Sequence, residues 1–306
     1  LTPIEENVNA PLSMTHFPSL SLGSTTFEWG RRTFIMGIVN VTPDSFSGDG
    51  LVKGEDWVAA ATAQAEAQAA AGADLIDVGG ESTRPGGEPT PIEEELRRVI
   101  PVIQAIAAKV AVPVSIDTYK AEVARQAIEA GATIVNDVWG LRMDNDMGRV
   151  AAETGAALIV MHNRSQPKNA AQSAQLGGRY VGIQYDELLG DIKRELAESV
   201  ERALRAGVKE ERLIVDPGIG FGKTVEQNLE LVDRLGELKE LGYPILVGPS
   251  RKSFVGYTLN LPPDQRLEGT AAAVTLGIDR GADIVRVHDV AQMVRVARIA
   301  DAIVRR

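Results

Sequence analysis

Ala71-Gly72-Ala73-Asp74-Leu75-Ile76-Asp77-Val78 is the stretch on which the fold turns: a glycine, a small residue, then a short aliphatic run. The same order returns at Ala130-Gly131-Ala132-Thr133-Ile134-Val135-Asn136-Asp137, at Thr154-Gly155-Ala156-Ala157-Leu158-Ile159-Val160-Met161 and at Arg280-Gly281-Ala282-Asp283-Ile284-Val285-Arg286-Val287. Leu241-Gly242-Tyr243-Pro244-Ile245-Leu246-Val247 is a variant of it. Each glycine suits the left-handed residue just past a helix C-terminus, where a Cβ is strained. Each aliphatic run behind it has the character of a strand buried on both faces, as in a parallel sheet. Working outward, strands are expected near 34–39, 74–78, 114–117, 133–136, 157–161, 213–216, 245–248 and 283–287. Helical segments separate them, for instance Trp57–Ala71 and Glu93–Ala108, with apolar residues at helical spacing. Eight strands, each followed by a helix, predict an α/β fold: a closed (β/α)8 TIM barrel rather than an open doubly wound sheet.

Two segments depart from the repeat. Residues 24–35 read as a short N-terminal hairpin turning at Gly30-Arg31 and plugging the barrel floor, with residues 1–23 a poorly ordered arm before it. Residues 163–182 form a polar connection too long for a simple strand-to-helix turn, either a lid or a disordered segment. No linker-like stretch divides 24–306, so a single domain is expected there.

Hydrophobic residues make up 44% and aromatics only 5% of the 306 residues, which favours helix-covered parallel strands over an aromatic-rich sandwich. The net charge of -10 argues against a nucleic-acid partner. It leaves anionic substrates open, because a few local cations can bind them. The absence of cysteine excludes disulfides and thiolate metal sites. No run approaches the roughly 18 apolar residues of a membrane span. Leu1 to Ala10 contain no signal-peptide core. A cytoplasmic protein, trimmed or truncated at Leu1, is expected.

In a barrel of this kind the chemistry collects at strand C-terminal ends and the loops after them. Those positions are polar here. They include Asn40 and the loop to Phe46, the loop Gly79-Gly80-Glu81-Ser82-Thr83-Arg84-Pro85-Gly86, Asp117, Asn136-Asp137 and His162. Asp216 with Pro217-Gly218-Ile219-Gly220-Phe221-Gly222-Lys223, then Ser250-Arg251-Lys252-Ser253, then Arg286 and His288 complete the set. Asp117, Asn136 and Asp216 suit a flat heterocycle rich in N–H donors, such as an aminopterin edge, since an unpaired buried polar group is costly. Thr83, Arg84, Arg286 and His288 form a separate donor group suited to pyrophosphate. Asn40 could complete a Mg2+ shell otherwise made of water and phosphate.

Plainer readings stand beside these. Asp117 could cap the next helix, Asp137 reads as structural, and the glycine-rich loops could be tight turns. His162 could be a packed, hydrogen-bonded residue, and His16 in the arm incidental. Lys252 could form a Schiff base. Gly222-Lys223-Thr224 imitates the end of a P-loop, but Pro217 stands where its first glycine belongs. Gly218-Ile219-Gly220 is not completed as a dinucleotide fingerprint, because residue 223 is Lys.

The motifs just quoted, in this order over roughly residues 34–290, resemble those of the dihydropteroate synthases. Several motifs in order on the right strand ends are more specific than any one. The resemblance implies a single pterin-binding catalytic domain that joins a dihydropterin methyl pyrophosphate to p-aminobenzoate, releasing pyrophosphate. It implies that Asp117, Asn136, Asp216 and Lys252 hold the pterin, with Met161 and Phe221 lining the slot. Asn40 would contact Mg2+ and the pyrophosphate, joined by Thr83, Arg84, Arg286 and His288. Pro85, Phe221, Ser253 and Phe46 would frame the p-aminobenzoate, and the first two loops would close over the substrates. Lys252 would hydrogen-bond the pterin rather than form a covalent intermediate, and Asp216 would favour an electron-poor pterin. A homodimer is implied as well. Two rivals stand beside this: a methyltetrahydrofolate:corrinoid methyltransferase, which needs no pyrophosphate group, and a binding protein without turnover.

Overall fold

The computed structural model describes residues 17–42, 56–83 and 89–305. These residues begin with an antiparallel hairpin, β1 (Leu20–Leu22) and β2 (Thr25–Phe27), turning at Gly23. Strands β3 (Phe34–Asn40), β4 (Leu75–Gly79), β5 (Val114–Asp117), β6 (Ile134–Asp137) and β7 (Ala157–Met161) follow. They are separated by helices α1 (Trp57–Ala70), α2 (Ile92–Lys109), α3 (Ala121–Glu129) and α4 (Met147–Thr154). A second hairpin, β8 (Ala170–Ser173) and β9 (Gly177–Tyr180), precedes α5 (Leu188–Arg205). Then come β10 (Leu213–Asp216), α6 (Val225–Asp233), β11 (Leu246–Val247), α7 (Ser253–Leu259), α8 (Leu267–Asp279), β12 (Ile284–Val287) and α9 (Val290–Val304).

The parallel strands run in the order β10-β7-β6-β5-β4-β3-β12-β11. A parallel bridge between Val215 and Ile245 joins β10 to the segment entering β11, so the sheet closes as a (β/α)8 barrel. The repeat glycines take the backbone conformation that requires them, with φ of 102° at Gly72, 114° at Gly131, 68° at Gly155, 78° at Gly242 and 97° at Gly281. Among the described residues no helix is long and apolar enough to cross a membrane.

Side-chain alternation divides the apolar residues into two layers. Ile35, Val39, Ile76, Val78, Val135, Leu158, Val160, Val215 and Val285 face the helices. Phe34, Met36, Leu75, Ile134, Ile159, Ile214, Leu246 and Ile284 fill the barrel's lower interior together with Leu20, Leu22 and Phe27 of the hairpin. Phe27 stacks on Trp29 at 5.6 Å and meets Phe34 edge-on at 4.8 Å.

The N-terminal hairpin does plug the floor, but it is built from 20–27, not 24–35, and begins inside the stretch expected to be an arm. Burial of Leu20, Leu22 and Phe27 against the barrel decides the pairing, which a local turn signal at Gly30-Arg31 does not report. Gly30 instead turns the chain into β3. A clasp closes the same end: Asp301 of α9 accepts from the Thr33 N–H and Oγ1, both at 2.8 Å, and Arg305 donates to Gly30 O at 3.1 Å. The 163–182 connection is folded, its β8–β9 hairpin held by Tyr257 Oη to Gly177 O (3.2 Å) and Arg266 Nη2 to Leu176 O (2.9 Å).

Candidate active site

Two residues along each strand from the apolar interior, the same inward face turns polar. Leu75 is followed by Asp77, Ile134 by Asn136, Ile214 by Asp216 and Ile284 by Arg286, while Ser115 is followed by Asp117. The period of two that buries the floor therefore aims these groups at one another. Arg286 Nε donates to Asp77 Oδ2 at 2.6 Å, and its Nη2 donates to Asp117 Oδ2 at 2.8 Å. Asn136 Nδ2 donates to the same Asp77 oxygen at 3.2 Å. Burial opposes the charge on Arg286, but Asp77 and Asp117 outweigh it and raise its pKa. Burial pushes the Asp117 carboxyl up against the pull of Arg286.

Lys252 reaches the cluster from the opposite wall. Its Nζ donates to Ile219 O and lies 4.1 Å from the centre of the Phe221 ring. Burial draws its pKa down to about 7, with Asp216 opposing, and Asp117 and Arg286 also act on it. Asp216 is itself raised by burial, against the Gly218 N–H that it accepts at 2.7 Å. The glycines between them are obligatory packing: a Cβ on Gly218 would fall 1.9 Å from His162 O, and one on Gly220 would fall 2.5 Å from Lys252 Cδ.

Beneath that loop sits Lys223, which the sequence places at the end of the strand-6 motif without assigning it a role. Lys223 is buried, and its Nζ donates to Gly218 O (3.0 Å) and Phe221 O (3.1 Å) and lies 2.9 Å from His162 Nδ1. His162 Nε2 lies 3.1 Å from Glu195 Oε2, so this histidine is packed between partners. Asp137 closes the next turn, accepting from the N–H groups of Trp139 (2.8 Å) and Leu141 (2.7 Å).

Around the rim, Asn40 ends β3, Thr83 follows β4, buried Met161 ends β7 and Ser253 opens α7. His288 follows β12, its Nδ1 3.0 Å from Ser250 Oγ. Phe46, Arg84 and Pro85, with the rest of the first loop, lie outside the described residues. Arg286 does not stand in a donor group apart from the acceptors; buried Asp77 needs a counter-charge, and the Arg286 side chain enters the carboxylate cluster to supply it. Asp77 was the missed residue. Its signal was present, a carboxylate in phase with Leu75 inside an otherwise aliphatic strand.

Among the described residues no group of three or more His, Asp or Glu could hold a metal ion. A cavity off the barrel axis, between Trp139, Arg142, Arg164 and Lys168, shows no comparable convergence, since its arginines already bond Glu195, Asp191 and main-chain carbonyls.

Residues 36–288 match the family model described as pterin binding enzyme. A dihydropteroate synthase of Clostridium beijerinckii is 50% identical over 288 residues, covering 94% of this chain and 100% of that protein. A Clostridium difficile dihydropteroate synthase solved in the presence of pteroic acid superposes with a TM-score of 0.83 at 48% identity, covering 92% of this chain and 100% of that one. The Xanthomonas albilineans dihydropteroate synthase with 4-aminobenzoic acid gives 0.82 at 41% identity, covering 94% and 98%. With a barrel, a polar inner layer and near-complete relatives in agreement, the chain belongs to the dihydropteroate synthase family.

Proposed function

We propose that the chain condenses 6-hydroxymethyl-7,8-dihydropterin pyrophosphate with p-aminobenzoate, giving 7,8-dihydropteroate and pyrophosphate. The observation that carries this is the convergence of Asp117, Asn136, Asp216, Lys252 and Arg286 on one inward layer of the barrel. The carboxylates and the amide accept from the pterin's N–H edge, and Lys252 donates to its carbonyl and ring nitrogen, between walls formed by Met161 and Phe221. The C–O bond to pyrophosphate breaks, its electron pair leaves with the pyrophosphate, and the aniline nitrogen attacks the methylene and sheds a proton to solvent. Asp216 stabilises positive charge developing on the pterin. Thr83, Arg84, Arg286 and His288 stabilise the leaving group, the kind of electrostatic preorganisation that dominates catalysis. Phe46, Pro85, Phe221 and Ser253 frame the p-aminobenzoate.

Magnesium fits as an ion brought in by the substrate, because Asn40 supplies one neutral oxygen at the rim and no carboxylate cage stands among the described residues. Bound there, it would draw negative charge off the departing pyrophosphate. A homodimer through α8 and α9 belongs to the same proposal. These helices pack together and leave Leu276, Ile299 and Ile303 exposed at 48%, 66% and 57%, and sedimentation equilibrium would measure the stoichiometry. The cytoplasm is its proposed compartment.

Incubation with the dihydropterin pyrophosphate, Mg2+ and p-aminobenzoate, following pyrophosphate release, tests the activity. Release that depends on p-aminobenzoate supports it, and release at background level overturns it.

A further inference from the structure

Asp77 is fully buried in the middle of β4 and holds two of the groups that the proposed function assigns to substrate. Its Oδ2 accepts from Arg286 Nε at 2.6 Å and from Asn136 Nδ2 at 3.2 Å. A carboxylate in this place is expensive to desolvate, and an apolar side chain of similar size would pack without that cost. What the carboxylate adds is direction. It can only accept, so Asn136 must turn its NH2 toward it, and this leaves the Asn136 Oδ1, buried and without a partner in the structure, as the acceptor end of the amide. With Nε fixed on Asp77 and Nη2 on Asp117, the guanidinium plane of Arg286 is set, and Nη1 is the donor that neither carboxylate uses.

We infer that Asp77 is a positioning residue for the reaction, setting the amide orientation of Asn136 and the donor plane of Arg286. This rests on the proposed condensation. Asp77 touches no substrate and acts through the two side chains it holds.

Asp77→Asn is the test, because it keeps the volume while removing the charge and the rule that residue 77 only accepts. Calorimetry with pteroic acid should show affinity lowered by about 10-fold or more, the scale of one misdirected buried hydrogen bond. The KM for p-aminobenzoate should hold while the kcat falls, a split that mere loss of folded protein does not produce. In the double variant Asp77→Asn/Asn136→Ala, pteroic acid should bind no more weakly than in Asn136→Ala alone. Unchanged affinity in Asp77→Asn, or losses that multiply in the double variant, would overturn the inference while leaving the proposed function intact. Wild-type protein that binds no pteroic acid would overturn both. If Asp77→Asn does not fold, Arg286→Lys probes the pair from the other side. It keeps the charge without the planar fork, so a kcat within 2-fold of wild type, or a fall that deepens further in Asp77→Glu/Arg286→Lys, would overturn the inference, and a fall equal in the two variants would support it.

Discussion

The floor and the mouth of this barrel share the same strands and the same inward face, yet they are held by opposite means. At the floor, Leu75, Ile134, Ile214 and Ile284 meet Phe27, Phe34 and Met36 in a layer closed from below by the N-terminal hairpin. Two residues further along, Asp77, Asn136, Asp216 and Arg286 replace them, and contact becomes ionic and directional. The apolar layer tolerates approximate shapes because dispersion and burial are non-directional. The polar layer does not, because each group left unpaired there costs free energy. Stability and chemistry are thus separated by one pleat of the strand, and substitutions on the two sides of that boundary should separate likewise.

The largest effect is expected at the floor. Phe27→Ala removes an aromatic side chain buried between Trp29 and Phe34, at a cost of ~3–5 kcal/mol in chemical unfolding. The KM values of the protein that stays folded should not move; a changed KM would show that the two layers are not independent. At the mouth, Arg286→Ala should lower kcat by ~100-fold or more. Lys252→Ala and Asp117→Ala should instead weaken pterin binding, and unchanged pterin affinity in calorimetry would contradict the pocket.

A smaller effect is expected at His162, just past the end of β7. Burial first, then Lys223, hold its imidazole down to about 3 from the ordinary 6.5. Between these values the unfolded chain takes up a proton that the folded protein refuses. The stability that neutral His162 confers is therefore complete above 6.5 and is lost as the pH falls toward 3. The urea midpoint of His162→Gln should lie below that of wild type at pH 7.5 and approach it at pH 5. A gap that widens on acidification would contradict this. Smallest is Thr224→Ala, which opens the capping box that Thr224 and Gln227 form at the start of α6, at ~1 kcal/mol.

The barrel was legible because its punctuation is local. Gly72, Gly131, Gly155, Gly242 and Gly281 each mark a helix end that only backbone conformation decides. The inner layer was largely legible for the same reason, as Asp117, Asn136, Asp216 and Arg286 stand at the ends of recognisable strands. What escaped depends on distant partners. The first hairpin is placed by burial of Leu20, Leu22 and Phe27 under residues far along the chain. Apart from buried Tyr180, the β8–β9 hairpin carries half-buried and exposed side chains with no apolar alternation to announce it. Asp77 and Lys223 acquire meaning only from Arg286, Asn136 and His162, which lie in other strands and loops.

The clasp of Asp301 and Arg305 on Thr33 and Gly30 has a practical corollary. It anchors the last helix beneath the barrel, on the side opposite the substrate entrance. An affinity tag or a second domain joined beyond Arg305 and the Arg306 that follows it would leave from that underside, so its bulk would point away from incoming pterin.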